Sequence, residues 1–177
     1  RGGILAGLEA GAIPVAVLIV HRRGPGGERF IRITDLEGRE LARLAPGFER
    51  ITQPSWSPDG ASILFESSTS SNTHLYTVNI DGSNLQRVVA SPNNDWRPSW
   101  SPDGRQIAFW SNREGPGYYV MSALTGIPRK VLPTANFSAI HMPGPPQWSS
   151  DGKELACITS VLKCSVPRII EIVSLEL

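Results

Sequence analysis

The 177-residue chain contains few cysteines, few histidines and almost no net charge, and each shortage excludes a class of protein. Two cysteines, Cys157 and Cys164, cannot build a disulfide framework, although a single bridge between them remains open. Seventeen basic residues against 16 acidic ones give a net charge of +1, which provides no basic surface for nucleic acid. The three histidines, His21, His74 and His141, are isolated in the sequence, so we expect exposed polar residues and neither a metal site nor a cofactor.

Motifs of the common enzyme classes are also missing. The chain has no Gly-x-Ser-x-Gly nucleophile elbow, no His-Glu-x-x-His zinc helix, no Gly-x-x-x-x-Gly-Lys phosphate loop and no Cys-x-x-Cys pair. The sequence therefore predicts no catalytic residue within these 177 positions. No stretch keeps the period of an amphipathic helix for more than two turns, which favours an all-β fold.

One apolar stretch near the start resembles a membrane span but is too short and too interrupted. Ile4–Val20 covers 17 residues and contains Glu9 and Pro14, whereas a span needs about 20 predominantly apolar residues. The repeat described below favours another interpretation, in which 15–20 is a strand that pairs with 30–35. We therefore expect no membrane insertion. The chain begins with arginine rather than methionine, so we also expect that upstream residues have been removed.

What the sequence does contain is a seven-residue motif that occurs three times. Pro-Ser-Trp-Ser-Pro-Asp-Gly stands at Pro54–Gly60 and Pro98–Gly104, and a degenerate copy, Pro-Gln-Trp-Ser-Ser-Asp-Gly, stands at Pro146–Gly152. The tryptophans of the copies are 44 and then 48 residues apart, a period typical of propellers and other repeat arrays. In Ser-Pro-Asp-Gly the proline presets φ at position i+1 of a type I turn, and the glycine supplies the positive φ that closes a hairpin. The recurring aspartate is then a turn residue, and no acid–base role is predicted for it.

The rest of each unit repeats as well. Gly82 follows Gly60 by 22 residues, as Gly126 follows Gly104, and each lies in a turn between two alternating strands. Four strands in a unit of about 44 residues are typical of a propeller blade. We therefore predict a partial β-propeller over residues 1–177, with about four four-stranded antiparallel blades, the last lacking its outer strand. The predicted blades are approximately 5–46, 51–90, 95–133 and 144–177.

One position of the repeat predicts the core. Phe65, Phe109 and Cys157 each stand five residues after the glycine of their motif, on the same face of a half-buried strand. We expect all three side chains to be buried between neighbouring sheets. The three motif tryptophans are expected to pack between blades.

At these residues the sequence resembles a known family. The pattern Pro-Ser-Trp-Ser-Pro-Asp-Gly-x-x-Ile-x-Phe, with a Tyr-Val-Met strand and an Asp-Gly turn, is similar to the WD40-like repeat of TolB-type β-propellers over nearly the whole chain. True WD40 repeats differ, because their Gly-His and Trp-Asp pairs are absent here. The resemblance implies a six- or seven-bladed propeller of which four blades are an incomplete arc, completed by missing blades or by self-association. It also implies a periplasmic interaction platform, or the propeller that covers the active site of a prolyl-oligopeptidase-type peptidase.

The loops at one end of the blades are the predicted binding surface, because scaffolds of this kind carry function on their loops. Trp96 is assigned to a loop and has no aromatic counterpart in the other blades. An exposed tryptophan beside an arginine, here Arg97, is typical of a binding hot spot. Asp95, Asn112 and Arg113 are predicted to form its polar rim. The alternative is that Trp96 packs against the edge of its own blade.

Two functions remain open at this point. The sequence favours a non-enzymatic module that binds a protein or peptide on its loop face. The alternative is the propeller portion of a prolyl-oligopeptidase-type serine peptidase, whose catalytic domain would lie outside these residues. A Gly-x-Ser-x-Gly motif about one domain downstream in the same reading frame would distinguish the two.

Overall fold

The structure, a computed structural model, describes residues 16–21, 29–35, 37–134, 144–160 and 169–175. Every regular element in these ranges is a β-strand, and the strands form four antiparallel sheets. The strands are β1 (Ala16–His21), β2 (Arg29–Thr34), β3 (Glu40–Phe48), β4 (Ile51–Trp56), β5 (Ser62–Ser68), β6 (Thr73–Asn79), β7 (Gln86–Arg87), β8 (Asp95–Trp100), β9 (Gln106–Ser111), β10 (Gly117–Ser122), β11 (Pro128–Pro133), β12 (Gln147–Trp148), β13 (Glu154–Ser160) and β14 (Ile169–Ser174).

Each sheet is a meander in which strands that follow one another in sequence are paired. Sheet 1 contains β1–β3, sheet 2 contains β4–β7, sheet 3 contains β8–β11 and sheet 4 contains β12–β14. Short turns between antiparallel strands permit this order without crossovers. Sheets 2 and 3 have the predicted four strands, and sheet 4 has no outer strand among the described residues, as predicted. The residues predicted to form the inner strand of sheet 1 lie outside the described ranges.

The first strand confirms the strand interpretation of the N-terminal apolar stretch as far as the structure describes it. β1 pairs with β2 in an antiparallel register that runs from Ala16 opposite Thr34 to His21 opposite Arg29. Residues 1–15 lie outside the described ranges. Where residues are described, no helix is long and apolar enough to cross a membrane.

The three predicted motif turns form with one geometry. The glycine N–H at the end of each turn donates to the serine carbonyl oxygen over 2.9–3.0 Å, and the glycine φ is 71–72°. In every copy the serine hydroxyl donates to Oδ1 of the aspartate, and this Oδ1 also accepts a backbone N–H two residues further on. The serine hydrogen bond is the main reason why the pKa of each turn aspartate is lowered from its ordinary value of 3.8. The third copy forms the same turn without proline.

The chain divides into two compact units, residues 1–88 and residues 89–177. In the first unit the core lies between sheets 1 and 2, and Phe65 is at its centre with no exposed surface. The Phe65 ring packs edge-on against Phe48, with the centroids 5.5 Å apart, and it stacks on Tyr76. The buried members of this core are Ile31, Ile33, Leu44, Ile51, Ile63, Phe65 and Val78.

In the second unit the core lies between sheets 3 and 4. Cys157 is buried there, and the Trp148 indole N–H donates to the carbonyl oxygen of Ser99 over 3.3 Å, which ties β12 to β8. The Tyr118 hydroxyl donates to the carbonyl oxygen of Ile158, and burial raises the pKa of this phenol. The buried members of this core are Ala108, Trp110, Tyr118, Val120, Leu155, Cys157 and Leu175.

The predicted burial of one repeat position is confirmed in all three copies. Phe65 and Phe109 have no exposed surface, and Cys157 is 1% exposed. Along β9, Phe109 alternates with Ala108 and Trp110, which belong to the core between sheets 3 and 4. The Phe109 side chain is therefore buried on the other face of sheet 3. Cys164, the possible partner of Cys157 in a disulfide, lies outside the described residues.

Candidate functional site

The loop end of sheet 3 is the surface formed by the start of β8 and by residues 112–116, which connect β9 to β10. In an antiparallel meander these two segments lie at the same end of the sheet. Asp95 stands opposite Ser111 in the register. Beyond this pair, the Asn112 N–H donates to the carbonyl oxygen of Asn94 over 3.4 Å, and the Asn94 N–H donates to Oδ1 of Asn112 over 3.0 Å. The predicted neighbourhood of the two loops is therefore present.

A buried ion pair joins the two segments. Asp95 has no exposed surface, and its Oδ1 accepts a hydrogen bond from Nη2 of Arg113, whose side chain is 10% exposed. Nε of Arg113 donates to the Ser111 hydroxyl over 3.0 Å, and this hydroxyl donates to the carbonyl oxygen of Asn94. Oδ2 of Asp95 is buried, and no donor in the described part of the chain reaches it. Because a buried charge without a partner is strongly destabilising, Arg113 is the counter-charge on which the buried Asp95 carboxylate depends.

Two aromatic rings hold the guanidinium from the side of the sheet. The guanidinium carbon of Arg113 lies 5.2 Å from the ring centroid of Phe109 and 5.4 Å from that of Tyr119. These two rings stack on each other with their centroids 6.0 Å apart. These cation–π contacts orient the plane of the Arg113 guanidinium, and they thereby help to hold the start of the loop at residues 112–116.

Three consecutive carbonyl groups of the loop are held by side chains of β10 and β11. The Tyr119 hydroxyl donates to the carbonyl oxygens of Arg113 and Gly115, and Nζ of Lys130 donates to that of Glu114 over 2.5 Å. Glu114 and Gly115 have φ values of 45° and 86°, so a non-glycine residue is held in the left-handed region. The loop is thus locked in one conformation, and the Glu114 residue is exposed.

Trp96 does not lie on a loop, which corrects the sequence prediction. It is the second residue of β8, pairs with Trp110 in the register and is half-buried. The Trp96 and Trp110 ring centroids are 5.0 Å apart, and Trp96 packs on the core between sheets 3 and 4. Trp110 is 3% exposed, and its indole N–H donates to the Thr134 hydroxyl over 3.0 Å. The alternative in which Trp96 packs on its own blade is therefore the one observed.

Arg97 also belongs to β8, where it marks a bulge. The register shifts between Trp96 and Ser99, and Arg97 has a φ of 56°. The equivalent residue of sheet 2, Gln53, has a φ of 52° at an equivalent register shift. A residue in the left-handed region followed by proline is thus a repeated feature of the first strand of these sheets.

The five predicted site residues are neighbours, but their roles differ from the prediction. Asp95 and Arg113 are buried and support the loop, so the prediction that they form an exposed polar rim is wrong. Of the five, Asn112 alone is exposed. Glu114 and Lys130 were not among the predicted site residues, although the Glu-Gly-Pro sequence at 114–116 was a turn signal in this loop. The part of the chain that is described contains no group of three or more His, Cys, Asp or Glu residues that could hold a metal ion.

Comparison with known proteins identifies one family and several related folds. The family profile of the TolB β-propeller domain matches residues 26–168. The Tol-Pal system protein TolB of Legionella pneumophila is 30% identical over 66 residues, which are 37% of this chain and 16% of that protein. The crystal structure of TolB from Acinetobacter baumannii superimposes with a TM-score of 0.68 at 21% identity over 89% of this chain, which spans 37% of that one. A crystal structure of puromycin hydrolase has a TM-score of 0.61 at 18% identity over 82% of this chain and 24% of that one.

Proposed function

Because the chain belongs to the TolB β-propeller domain family, we propose that it is a non-enzymatic module that binds a protein or peptide at the loop end of sheet 3. The observation that carries the proposal is the locked loop at residues 112–116. Its main chain is held by the Asp95–Arg113 ion pair, by Tyr119 and by Lys130. The ion pair is not a feature of the repeat, because the position of Asp95 is occupied by an isoleucine, Ile51, in sheet 2.

A locked loop is suited to binding for an energetic reason. Ordering a flexible segment costs free energy on association, and a segment that is already fixed avoids that cost. Strained backbone also concentrates at functional sites, and Glu114 is held at a positive φ beside an exposed Asn112. The loop end therefore presents an exposed amide, Asn112, and an exposed carboxylate, Glu114, to a ligand on a main chain that is already fixed.

The aromatic pair beneath the loop end contributes the apolar part of the proposed surface. Trp96 is half-buried against Trp110, so part of its indole remains accessible next to Arg97. Tryptophan and arginine dominate binding energy at protein interfaces. We assign to Trp96 a double role, in which one face supports the core and the other contacts the ligand.

The class of partner and the location are proposed from the relatives. The curated relative is named as a Tol-Pal system protein, and we propose for this chain a protein or peptide partner in the periplasm. The chain spans 16% of that relative in the aligned region, so this partner is assigned to the module and not to a complete TolB.

The test uses a displayed library of random peptides, because no ligand is identified in advance. Peptides selected on the chain should bind the Asn112→Ala and Glu114→Ala variants more weakly. Trp96→Ala should lose about 2 kcal/mol or more of binding, roughly thirtyfold in affinity, and Trp96→Phe should lose less. The matched control is Leu124→Ala, because Leu124 is 96% exposed in the turn at the other end of β10. Selected peptides that bind all these variants equally would refute the loop-end site.

A second candidate function rests on the likeness of fold to puromycin hydrolase. In this alternative the chain is the propeller portion of a prolyl-oligopeptidase-type serine peptidase. A Gly-x-Ser-x-Gly motif downstream in the same reading frame, with hydrolysis of a peptidyl substrate by the longer protein, would support it. A reading frame without such a motif would exclude it.

A further inference from the structure

The turn at residues 113–116, within the loop end of sheet 3, leaves hydrogen-bond donors free while its acceptors are occupied. The carbonyl oxygens of Arg113, Glu114 and Gly115 all accept hydrogen bonds, and the donors are the Tyr119 hydroxyl and Nζ of Lys130. The backbone N–H groups of Glu114 and Gly115 have no acceptor in the described part of the chain. Both residues are exposed, so these two donors are available to a ligand.

A proline at the end of this turn explains the arrangement. Glu114 and Gly115 have φ values of 45° and 86°, and two positive φ values in succession are typical of a type I′ turn. The N–H of the next residue normally closes such a turn, but that residue is Pro116, which has no N–H. The Tyr119 hydroxyl makes the hydrogen bond to the Arg113 carbonyl oxygen instead.

The equivalent turn of sheet 2 binds its own N–H groups. Between β5 and β6 the Thr69 hydroxyl accepts the N–H groups of Ser71 and Asn72 over 3.4 and 3.2 Å. By the 44-residue spacing of the motifs, Arg113 stands at the position of Thr69, and its side chain is committed to the ion pair with Asp95. The turn of sheet 3 therefore lacks the internal acceptor that the turn of sheet 2 has.

A positive charge lies beside the free donors. A Cβ atom at Gly115 would lie 3.6 Å from Nζ of Lys130, so the ammonium group is next to the turn. Lys130 forms no ion pair within the described ranges, and its hydrogen bond to the Glu114 carbonyl oxygen is exposed. An ammonium group can donate more than one hydrogen bond. The turn thus combines two main-chain donors with a cation that no carboxylate neutralises there.

From this donor set we propose that the turn at residues 113–116 and Lys130 bind a carboxylate group of the peptide ligand. A carboxylate accepts hydrogen bonds at both oxygens, and charge-assisted bonds of this kind are the stronger ones. A phosphate group, with a charge of about −1.5 to −2 at pH 7, would meet more repulsion from the exposed Glu114 carboxylate on the same turn. The Glu114 carboxylate remains available to another part of the ligand. The inference rests on the proposed function, because it states what a ligand of the loop end must carry.

Acetate is the first probe, because it is a free carboxylate. Titrated against the 177-residue chain at constant ionic strength, it should shift the amide resonances of Glu114 and Gly115 along a saturating curve, and chloride should not. The resonances of Ser71 and Asn72, whose N–H groups already have an acceptor, should not move. Lys130→Met should weaken acetate binding about two- to fivefold, and Lys130→Arg should restore most of it.

Lys153→Met is the matched control for the loss of one positive charge. Lys153 is exposed and follows the motif turn between β12 and β13. This variant should bind acetate as the unaltered chain does. Thermal melts of Lys130→Met and Lys130→Arg show whether each variant is folded, so a loss of binding that Lys130→Arg restores is assigned to the charge.

Peptides selected on the chain apply the same test to the ligand. Exchange of their aspartate and glutamate for asparagine and glutamine should weaken binding to the unaltered chain about two- to fivefold. The exchange should have little effect on binding to Lys130→Met. Amidation of the peptide C-terminus distinguishes a terminal carboxylate from a side-chain carboxylate, because it removes only the terminal one.

The inference is overturned if acetate leaves the Glu114 and Gly115 resonances in place, or shifts them equally in Lys130→Met. It is also overturned if the selected peptides show no preference for a carboxylate while Asn112→Ala weakens their binding, and the proposed function then stands. If the selected peptides do not bind the loop end, the proposed function fails. The acetate titration then decides by itself whether the turn is a carboxylate site.

Discussion

Replacing Arg113 with alanine is expected to cost about 3–5 kcal/mol of folding stability, because it strands a buried carboxylate. Asp95 has no exposed surface, and the only charge that reaches its Oδ1 in the described part of the chain is the guanidinium of Arg113. The same substitution removes the contacts with the Phe109 and Tyr119 rings. These contacts contribute about 0.5–2 kcal/mol more where the cation is desolvated.

A double-mutant cycle separates the ion pair from its surroundings. Asp95→Ala and Arg113→Ala are measured singly and together by chemical denaturation, with tryptophan fluorescence as the signal. The double variant has no buried charge left at this site, so it should be less destabilised than the sum of the single variants. We expect a coupling energy of about 1.5–3 kcal/mol.

The matched control lies in the same sheet. Arg105 and Asp103 are 4.0 Å apart, with side chains that are 86% and 59% exposed, so solvent screens them. Arg105→Ala should leave the denaturation curve unchanged within error. The reasoning is refuted if Arg113→Ala costs under about 1 kcal/mol, or if the two single effects in the cycle simply add.

Three further predictions concern the core, the turns and the exposed side chain of Ile172. Phe109→Ala should cost about 3–5 kcal/mol in a chemical melt, whereas Leu124→Ala, at an exposed turn, should cost almost nothing; equal losses would contradict the packing. The folded-state pKa values of the three turn aspartates, Asp59, Asp103 and Asp151, lie below 3.8. Their contribution to folding stability is therefore complete above pH 3.8 and is lost as the pH falls through the lowered values. Changing all three to asparagine should flatten the acid side of a plot of unfolding free energy against pH. Because Ile172 is 69% exposed, the chain should self-associate in sedimentation at high concentration and Ile172→Asp should weaken this; a monodisperse unaltered chain would contradict it.

The motif turns were predictable because their causes are local. Serine, aspartate and glycine within four residues, with the backbone N–H of the next residue, supply the hydrogen bonds and the positive φ of the turn. The repeat then fixed the phase of the following strand, which is why burial of Phe65, Phe109 and Cys157 followed from sequence. Self-similarity at one period replaces the long-range information that a single copy lacks.

The site was harder to predict because its causes are not local. The bulge at Arg97 and Pro98 interrupts the alternation of β8, so the sequence shows a loop where the strand has already begun at Asp95. Asp95 and Arg113 are 18 residues apart, and nothing in their neighbours indicates that they pair. A buried acid at a position that is isoleucine in sheet 2 was the one available signal, since a repeat that loses an apolar residue needs a compensating partner.

The third motif turn provides a last test of how far the repeat determines stability. Ser150 occupies position i+1, where the other two copies have Pro58 and Pro102, yet the Gly152 hydrogen bond and φ match theirs. Because the backbone already has the conformation that proline accepts in two copies, Ser150→Pro should mainly reduce the entropy of the unfolded chain. We expect a gain of about 0.4–1 kcal/mol.

In a thermal melt this gain corresponds to about 1–4 °C. Pro102→Ser is the reciprocal control and should lower the melting temperature by a similar amount. A loss of stability in Ser150→Pro would mean that the third turn needs a backbone N–H at position 150. The three turns would then differ in stability although their folded geometries match. A property of one blade could not be assumed for the next, even at the motif that defines the blades.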